Sequence, residues 1–307
     1  MTSFVEISPA EYDKDAFKGF VPAAAGYEPG NARALMWFSQ LAYETHQPAT
    51  IEAVGRGLWA FASIERFALE NISLHGSFET CGLVGQRPGA VILAFAGTDP
   101  GIWQNLVTDF TPLPQAGSDT HDGFRLAAAA AEPQVARAVE LCRQTGNPLF
   151  VTGHSLGAAL AALAALRASN TGLPPRAVYT FGMPRVGGPQ FGSSYGELGQ
   201  VTYRLVHGID LVTRVPPSSL GFHHVGHLLQ CAAGAKFDRT QLLPSTDSDD
   251  PPFSGELKNV IARALENILL GKILSPHGPG ALGAFFRFLP PEIRDHLQDS
   301  YWKALAP

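Results

Sequence analysis

Cysteine is scarce in this 307-residue chain, and its three cysteines include no C-x-x-C pair. An odd number of cysteines without such a pair predicts neither a disulfide framework nor a cysteine-based zinc site. Charged residues are also few, at 16%, and the net charge is −5. Because no basic patch stands out, we expect no nucleic acid as a partner, and a neutral or amphiphilic substrate fits the composition better than a polyanion.

Long apolar runs and a basic leader are absent as well. No stretch reaches the roughly 18 apolar residues that span a bilayer, so the sequence predicts no transmembrane segment. The first residues, MTSFVEISPAEYDKD, lack the basic region followed by an apolar region that marks a Sec signal peptide. The location stays unknown on this basis, and we expect the chain to be cytoplasmic or exported by another route.

Apolar residues are abundant, at 45%, and their pattern predicts an α/β fold. They recur at helical spacing in residues 31–43, in 127–142 and in the small-residue run HSLGAALAALAALRASN. The stretches typical of strands are ETCGLVGQ, AVILAFAG, PLFVTG, AVYTFGMP and YRLVHGID. Strands that alternate with helices predict a mostly parallel central sheet with helices on both faces.

The C-terminal part of the chain has a different composition. A polar, proline-rich stretch begins near residue 240, and apolar residues then share one helical face between 256 and 274. A helix packed on the core and a cap over an apolar cleft both fit this pattern. We predict a single domain over residues 1–307, with a core of about 31–232 plus 286–307 and a helical, cap-like insertion over 240–285.

A serine stands at the centre of the sequence Gly153-His154-Ser155-Leu156-Gly157. The pattern G-x-S-x-G is weak by itself, but here an apolar strand precedes it and a helix rich in small residues follows it. So sharp a turn strains the serine backbone, and the flanking glycines remove the clashes. The Ser155 hydroxyl would stand at a helix N-terminus, where N–H groups and the helix dipole stabilise an oxyanion. A nucleophile is predicted; the alternative is a glycine-rich turn with an incidental serine.

Several further motifs occur in the order found in one known family. VTGHSLGAALA resembles the nucleophile elbow of the class 3 (fungal and plant type) lipases. Five further stretches resemble other motifs of that family: AFAGTD, NLVTD, HDGF, YTFGMPRVGG and HGIDLVTRVPP. The resemblance covers roughly residues 31–232 and the C-terminal tail, and it implies an α/β-hydrolase fold. Two positions depart from the family, because Ala96 replaces the usual arginine and Leu106 the usual tryptophan.

The acid of a triad follows the serine in the α/β-hydrolase chain order Ser, acid, His. Asp210 lies directly after the apolar strand YRLVH, where a loop leaves the sheet edge, and it matches the catalytic Asp of the family. A capping Asp in a turn is the alternative, because Gly208 and Asp210 both favour turns. We predict Asp210 as the acid.

An oxyanion hole needs two donors aimed at one point. The backbone N–H of Leu156, the residue after the nucleophile, is expected to be one of them. The resemblance implies that Thr98 is the other and that Asp109 anchors Thr98. The segment 99–117 resembles the mobile lid of the family, although a buried loop is the plainer interpretation.

The sequence offers several histidines as the base. The cluster at 223–227 follows Asp210, but it opens or lies in a further apolar strand, and the family has a structural histidine here. The tail RDHLQDSY resembles the family motif D-H-x-x-x-x-Y, which carries the catalytic histidine, so we predict His296 as the base. His224 is the second candidate and His277 a third. Structural roles are expected for the histidines at 121, 154 and 207.

Together these residues predict a serine ester hydrolase that works through an acyl-enzyme and uses the triad Ser155, Asp210 and His296. The chemistry requires no metal or organic cofactor. The resemblance implies acylglycerols or phospholipids as substrates, with action at a lipid–water interface. The alternatives are a phospholipase A1, a short-chain esterase, an antagonistic membrane-damaging effector and a lipid-binding protein on an inactive hydrolase fold.

Overall fold

The computed structural model describes residues 6–73, 76–97, 122–216, 218–243 and 291–307. Within these ranges the chain forms one eight-stranded sheet, whose strands lie side by side in the order of the sequence. The strands are β1 Ser63–Ser73, β2 Gly76–Arg87, β3 Ala90–Phe95, β4 Leu149–His154, β5 Ala177–Phe181, β6 Thr202–His207, β7 His227–Cys231 and β8 Leu242–Leu243. The α-helices are α1 Pro29–Leu41, α2 Pro48–Ile51, α3 Asp122–Ala130, α4 Glu132–Thr145, α5 Leu156–Asn170, α6 Pro189–Tyr195, α7 Pro291–Arg294 and α8 Gln298–Ala304.

The centre of the sheet is parallel and its edges are antiparallel. Strands β3 to β7 pair in parallel, whereas β1, β2 and β3 form an antiparallel meander and β8 runs antiparallel to β7. The mostly parallel sheet predicted from the alternation of elements is confirmed. Because the central strands are parallel, their carboxyl ends meet at one edge, which is where α/β sheets hold their ligands.

Both faces of the central strands are buried under helices, as predicted. Ile92 and Phe150 belong to the apolar cluster formed with α1 and α8. Val91, Leu93 and Val151 belong to the opposite cluster, formed with α3, α4 and α5. Strands that are covered on both sides are apolar along their whole length, and this continuous apolar character made β3 and β4 recognisable in the sequence.

Strand β1 was not predicted, and its position explains why. It is an edge strand that pairs only with β2 among the described residues. Its sequence, SIERFALENIS, mixes charged and apolar residues because one side of it is exposed at Arg66 and Glu70. The helical stretch predicted at 127–142 is divided between two helices, since α3 ends at Ala130 and α4 begins at Glu132, with Pro133 in its first turn.

The two segments predicted to form a lid or cap lie largely outside the described residues. This applies to the whole segment 99–117 and to the insertion 240–285 beyond Leu243, the last residue of β8. Among the helices that are described, none combines the length and the apolar character needed to cross a bilayer.

Candidate active site

Ser155 occupies the turn between β4 and α5. Its backbone has φ 60° and ψ −131°, a region that non-glycine residues adopt at a cost of about 1–3 kcal/mol. The turn is held by a hydrogen bond from Ser155 N to the carbonyl oxygen of Phe181, at 2.9 Å. The side-chain Oγ is buried and forms no hydrogen bond with the described residues. The strained turn expected at this serine is therefore present.

The elbow packs closely against the end of β3. A Cβ on Gly157 would collide with the carbonyl groups of Phe95 and Ala96, so only glycine allows this approach. Leu156 is the first residue of α5, and the first N–H groups of a helix have no partner within the helix. Its N–H therefore remains the predicted oxyanion donor. Thr98 and Asp109 lie outside the described residues, and their roles stay predictions.

Asp210 lies in the turn that follows β6 and is only 1% exposed. Its carboxylate accepts a hydrogen bond from Val212 N at 2.9 Å. The Tyr301 hydroxyl donates to Oδ2 at 2.5 Å. His296 Nδ1 lies 3.0 and 2.9 Å from the two carboxylate oxygens. A carboxylate held by three neighbours in this way has one fixed orientation.

His296 lies between α7 and α8, 86 residues after its partner Asp210. Its contact with the carboxylate places the ring proton on Nδ1, which makes Nε2 the nitrogen able to take a proton. The ring stacks at a tilt on His154, with centroids 4.7 Å apart. Because His154 immediately precedes Ser155, this stacking brings the segment of His296 to the nucleophile elbow.

His154 also fixes the main chain of His296. Its Nε2 donates to the His296 carbonyl oxygen at 2.7 Å, so its Nδ1 must accept the hydrogen bond from the Tyr43 hydroxyl at 2.9 Å. Burial, reinforced by the neighbouring His296, holds the pKa of His154 well below its ordinary value. A neutral His154 therefore acts as a hydrogen-bonding link between the 3-10 turn Ala42–Glu44 after α1, the elbow and the 296 segment.

Tyr301 lies on α8 and contacts the carboxylate of Asp210. It is fully buried, and burial together with the Asp210 carboxylate raises its pKa well above the ordinary value. The hydroxyl therefore stays protonated and remains a donor to Asp210. The same oxygen accepts a longer hydrogen bond from His207 N, at 3.3 Å, which connects α8 to the end of β6.

A second histidine–carboxylate pair lies beside the first. His207 Nδ1 is 3.4 Å from Asp295 Oδ1, and both side chains are almost fully buried. Ile209 N donates to Asp295 Oδ2 at 3.0 Å, and Gly234 N donates to His207 Nε2 at 3.2 Å. This pair joins the turn after β6 to the segment that carries His296.

The comparisons with known proteins concern the family and the fold of the chain. The family model for lipases of class 3 matches residues 93–220, and the resemblance inferred from the motifs is confirmed. The chain is similar to class 3 lipases. This similarity includes the elbow at Ser155 and extends through Asp210, whereas His296 lies beyond the matched residues.

Two curated relatives are similar to parts of the chain. A secreted mono- and diacylglycerol lipase of Fusarium solani is 39% identical over 112 residues, which are 36% of this chain and 33% of the relative. A lipase of Caenorhabditis elegans is 30% identical over 219 residues, which are 65% of this chain and 59% of the relative. The matches therefore span less than two thirds of the length of either relative.

The fold resembles that of solved fungal lipases. Lipase II of Rhizopus niveus superposes with a TM-score of 0.54 at 22% sequence identity, over 77% of this chain and 95% of that protein. At this level of identity the similarity concerns the fold, and it supports the α/β-hydrolase architecture predicted for this class 3 lipase-like chain.

The structure brings together Asp210 and His296 and places His154, the neighbour of Ser155, against His296. In the histidine cluster at 223–227, the second candidate for the base, His224, has a different partner. His224 Nε2 donates to the Thr213 carbonyl at 2.8 Å, and burial, followed by the charge of nearby arginines, lowers its pKa well below the ordinary value. His121 and His277 lie outside the described residues.

Three contributors to the site were missed or left without a role by the sequence reasoning. Tyr301 was visible in the motif at the tail, but nothing in the motif indicates that its hydroxyl reaches Asp210. Tyr43 carries no local signal beyond its place after an amphipathic helix. Asp295 directly precedes the predicted base and resembles a helix-capping residue, so its contact with His207 could not be read from spacing.

Proposed function

We propose that this chain is a carboxylic ester hydrolase of the lipase type, which cleaves acylglycerols through Ser155, His296 and Asp210. The observation that carries the proposal is the contact of His296 Nδ1 with the buried Asp210 carboxylate, at 2.9 Å, on a segment whose carbonyl is held by the residue preceding Ser155. A carboxylate that orients an imidazole near a serine at a strained elbow is the arrangement used for acyl transfer.

The first half of the proposed reaction forms the acyl-enzyme. Ser155 Oγ attacks the ester carbonyl carbon while His296 Nε2 takes the hydroxyl proton. The tetrahedral oxyanion is stabilised by the Leu156 N–H and, in the family pattern, by Thr98. The bond to the alcohol then breaks, and His296 gives its proton to the leaving alkoxide.

The second half returns the enzyme to its starting state. A water molecule gives a proton to His296 Nε2 and attacks the acyl carbon. The resulting tetrahedral intermediate then collapses, His296 returns the proton to Ser155 Oγ, and the carboxylic acid leaves. Asp210 stays ionised throughout and stabilises the imidazolium that forms twice in the cycle. Val212 N and the Tyr301 hydroxyl keep the Asp210 carboxylate in place for this task.

The substrate class follows from the similarity to named lipases. The Fusarium relative is a mono- and diacylglycerol lipase, so we propose partial acylglycerols as the first substrates to test, at a lipid–water interface. The low share of charged residues, 16%, supports an uncharged substrate. The segments predicted to cover the site, 99–117 and 240–285, would then control access to it.

An active-site label tests the catalytic assignment. We expect a fluorophosphonate to modify Ser155, as located by mass spectrometry, and the label to be lost in Ser155→Ala. Ser193→Ala, which changes an exposed serine on α6, is the matched control and should label normally. A label on any other serine would refute the assigned nucleophile.

The choice of histidine is tested with the same label. His296→Ala should stop labelling, whereas His224→Ala should retain it, with circular dichroism to verify folding. His224→Gln, whose amide nitrogen corresponds to Nε2 of the histidine that contacts the Thr213 carbonyl, replaces the alanine variant if that variant does not fold. Labelling that is lost at position 224 but kept at position 296 would overturn the assignment.

Rates on a graded set of esters test the substrate class. We expect diolein and tributyrin emulsions to be hydrolysed faster than phosphatidylcholine vesicles. Activity restricted to dissolved p-nitrophenyl butyrate would identify an esterase, and preferential release of the sn-1 acyl chain of phosphatidylcholine would identify a phospholipase A1. Either result would refute the proposed acylglycerol specificity while keeping the proposed triad.

A further inference from the structure

Three potential metal ligands from separate parts of the chain meet at one edge of the sheet, outside the site described above. His46, Glu79 and Cys81 each present one ligand atom, and these atoms all lie within 4.8 Å of one another. His46 Nε2 is already 3.0 Å from Glu79 Oε2. The side chains of His46 and Glu79 are 55% and 44% exposed, so an ion from solvent can reach them.

The sheet explains why these ligands converge. Glu79 and Cys81 are two residues apart on β2, so their side chains point to the same face. His46 follows the short 3-10 turn Ala42–Glu44, which packs against β2. The strand thus supplies two ligands with fixed spacing, and the turn supplies the third.

The local charges favour a cation at this position. Glu70 on β1 lies directly opposite Glu79 in the antiparallel ladder, so the two carboxylates extend from the same face. Like charges in directly opposite positions destabilise a sheet. A bound cation would offset the repulsion between Glu70 and Glu79 more fully than the hydrogen bond from His46 does.

We propose that His46, Glu79 and Cys81 form a binding site for a single thiophilic divalent cation, of which Zn²⁺ is the best match. Zn²⁺ accepts imidazole nitrogen, thiolate sulfur and carboxylate oxygen together, and three protein ligands leave a fourth position for water. Mg²⁺ and Ca²⁺ prefer sites made only of oxygen ligands, so the thiol and the imidazole select against them.

Binding exchanges the thiol proton for the metal. A cysteine binds a metal ion as the thiolate, so the Cys81 thiol has to lose its proton when the metal binds. The sulfur–hydrogen bond of Cys81 breaks, the proton passes to solvent, and the sulfur–metal bond forms. No electron is transferred, and His46 coordinates through the Nε2 lone pair of its neutral ring.

The site is separate from the proposed catalytic residues but touches the strand that leads to them. The Cys81 carbonyl accepts a hydrogen bond from Ala96 N at 2.9 Å, at the end of β3. A cation here would join the turn after α1 to the β2–β3 ladder. Binding can therefore be measured directly, without reference to hydrolysis.

Cobalt provides a spectroscopic test on the full-length protein after treatment with a chelator. We expect one equivalent of Co²⁺ to produce a thiolate-to-metal charge-transfer band and to be displaced by Zn²⁺. The band should vanish in Cys81→Ser and persist in Cys142→Ser, which removes a free thiol on α4. Fluorophosphonate labelling of each variant shows that it is folded.

The other ligands are tested by affinity. Zn²⁺ affinity is measured in competition with a chromophoric chelator. Loss of a residue that only supports a metal ligand weakens binding by roughly 10- to 100-fold. His46→Gln and Glu79→Gln each remove a ligand itself, so each should weaken Zn²⁺ binding by at least that factor. Absence of the cobalt band in the wild-type protein would overturn the proposal. A band that survives Cys81→Ser, or unchanged affinity in His46→Gln, would do the same.

Discussion

His207 and His296 each face a buried carboxylate, and the two pairs join the same two segments of chain. The end of β6 supplies His207 to one pair and the turn after β6 supplies Asp210 to the other, while the segment before α8 supplies Asp295 and His296. The two pairs are arranged in opposite senses, since the histidine comes from β6 in one pair and from the tail in the other. The nitrogen–oxygen separations are 3.4 Å for His207 and 2.9 Å for His296.

The difference lies in what occupies the second ring nitrogen. In His207 that nitrogen is Nε2, and it accepts the Gly234 N–H, so its lone pair is not available as a base. His296 is anchored through Nδ1, which faces the Asp210 carboxylate, and through its main-chain carbonyl. A histidine whose Nε2 accepts a main-chain hydrogen bond is structural, whereas the Nε2 of His296 is the nitrogen that the proposed reaction uses as its base.

The largest expected difference between the two pairs is in turnover. We expect His296→Ala to lower kcat on p-nitrophenyl butyrate by about 10⁴- to 10⁶-fold, as for loss of a base that acts as a unit with its serine. His207→Gln should lower kcat by no more than roughly 100-fold, which is the loss expected when a catalytic group is slightly misplaced. Equal losses in two folded variants would mean that the pairs are not functionally distinct.

The two carboxylates should separate in the same way. Asp210→Asn is expected to lower kcat by about 10⁴-fold, because the amide no longer selects the Nδ1–H form of His296. Asp295→Asn should instead lower the free energy of unfolding by about 1.5–3 kcal/mol, because Ile209 N loses a charged acceptor. Urea unfolding and kcat are measured on both variants, and a mainly catalytic effect at position 295 would contradict this division.

A smaller steric change should affect one pair only. A Cβ on Gly182 would lie 2.8 Å from Asp210 Oδ2 and 2.9 Å from His296 Nδ1, and Gly182 has φ 61°. Gly182→Ala should therefore push the catalytic pair apart and lower kcat by about 100-fold. Gly192→Ala, where an added Cβ meets nothing within 4 Å, is the control and should keep full activity.

The smallest expected effect concerns His154, which holds the His296 carbonyl. Its pKa in the folded protein is depressed below the ordinary 6.5, so below about pH 6.5 the unfolded chain binds a proton that the native state excludes. Stability should therefore fall as the pH drops through this range, by up to about 1.4 kcal/mol per pH unit for this one group. His154→Gln should give a shallower slope in urea unfolding between pH 7 and 5. Identical slopes would show that folding does not lower the pKa of His154.

Much of the central fold could be predicted because its signals are local. Strands β3 and β4 are apolar throughout, and the elbow between β4 and α5 requires glycine at 153 and 157. These stretches determine their structure through neighbouring residues. Strand β1 escaped prediction because it is a partly exposed edge strand whose sequence mixes charged and apolar residues.

The site was predictable where a motif carries it and not where long-range contacts do. Ser155 follows from its flanking residues, and Asp210 and His296 from chain order and the family pattern. The hydrogen bonds of Tyr43 to His154 and of Tyr301 to Asp210 join residues 111 and 91 positions apart. No spacing rule reaches across such distances, and the same holds for the meeting of His46 with β2.

The anchoring of the segment around His296 also bears on how such a chain can be re-engineered. The contacts described for Asp295 and His296 come from His154 at the elbow and from Ile209 and Asp210 in the turn after β6. Both partners border the central sheet, so the sheet itself holds the base in place. Substitutions that re-engineer the chain should therefore spare these three residues as well as the triad.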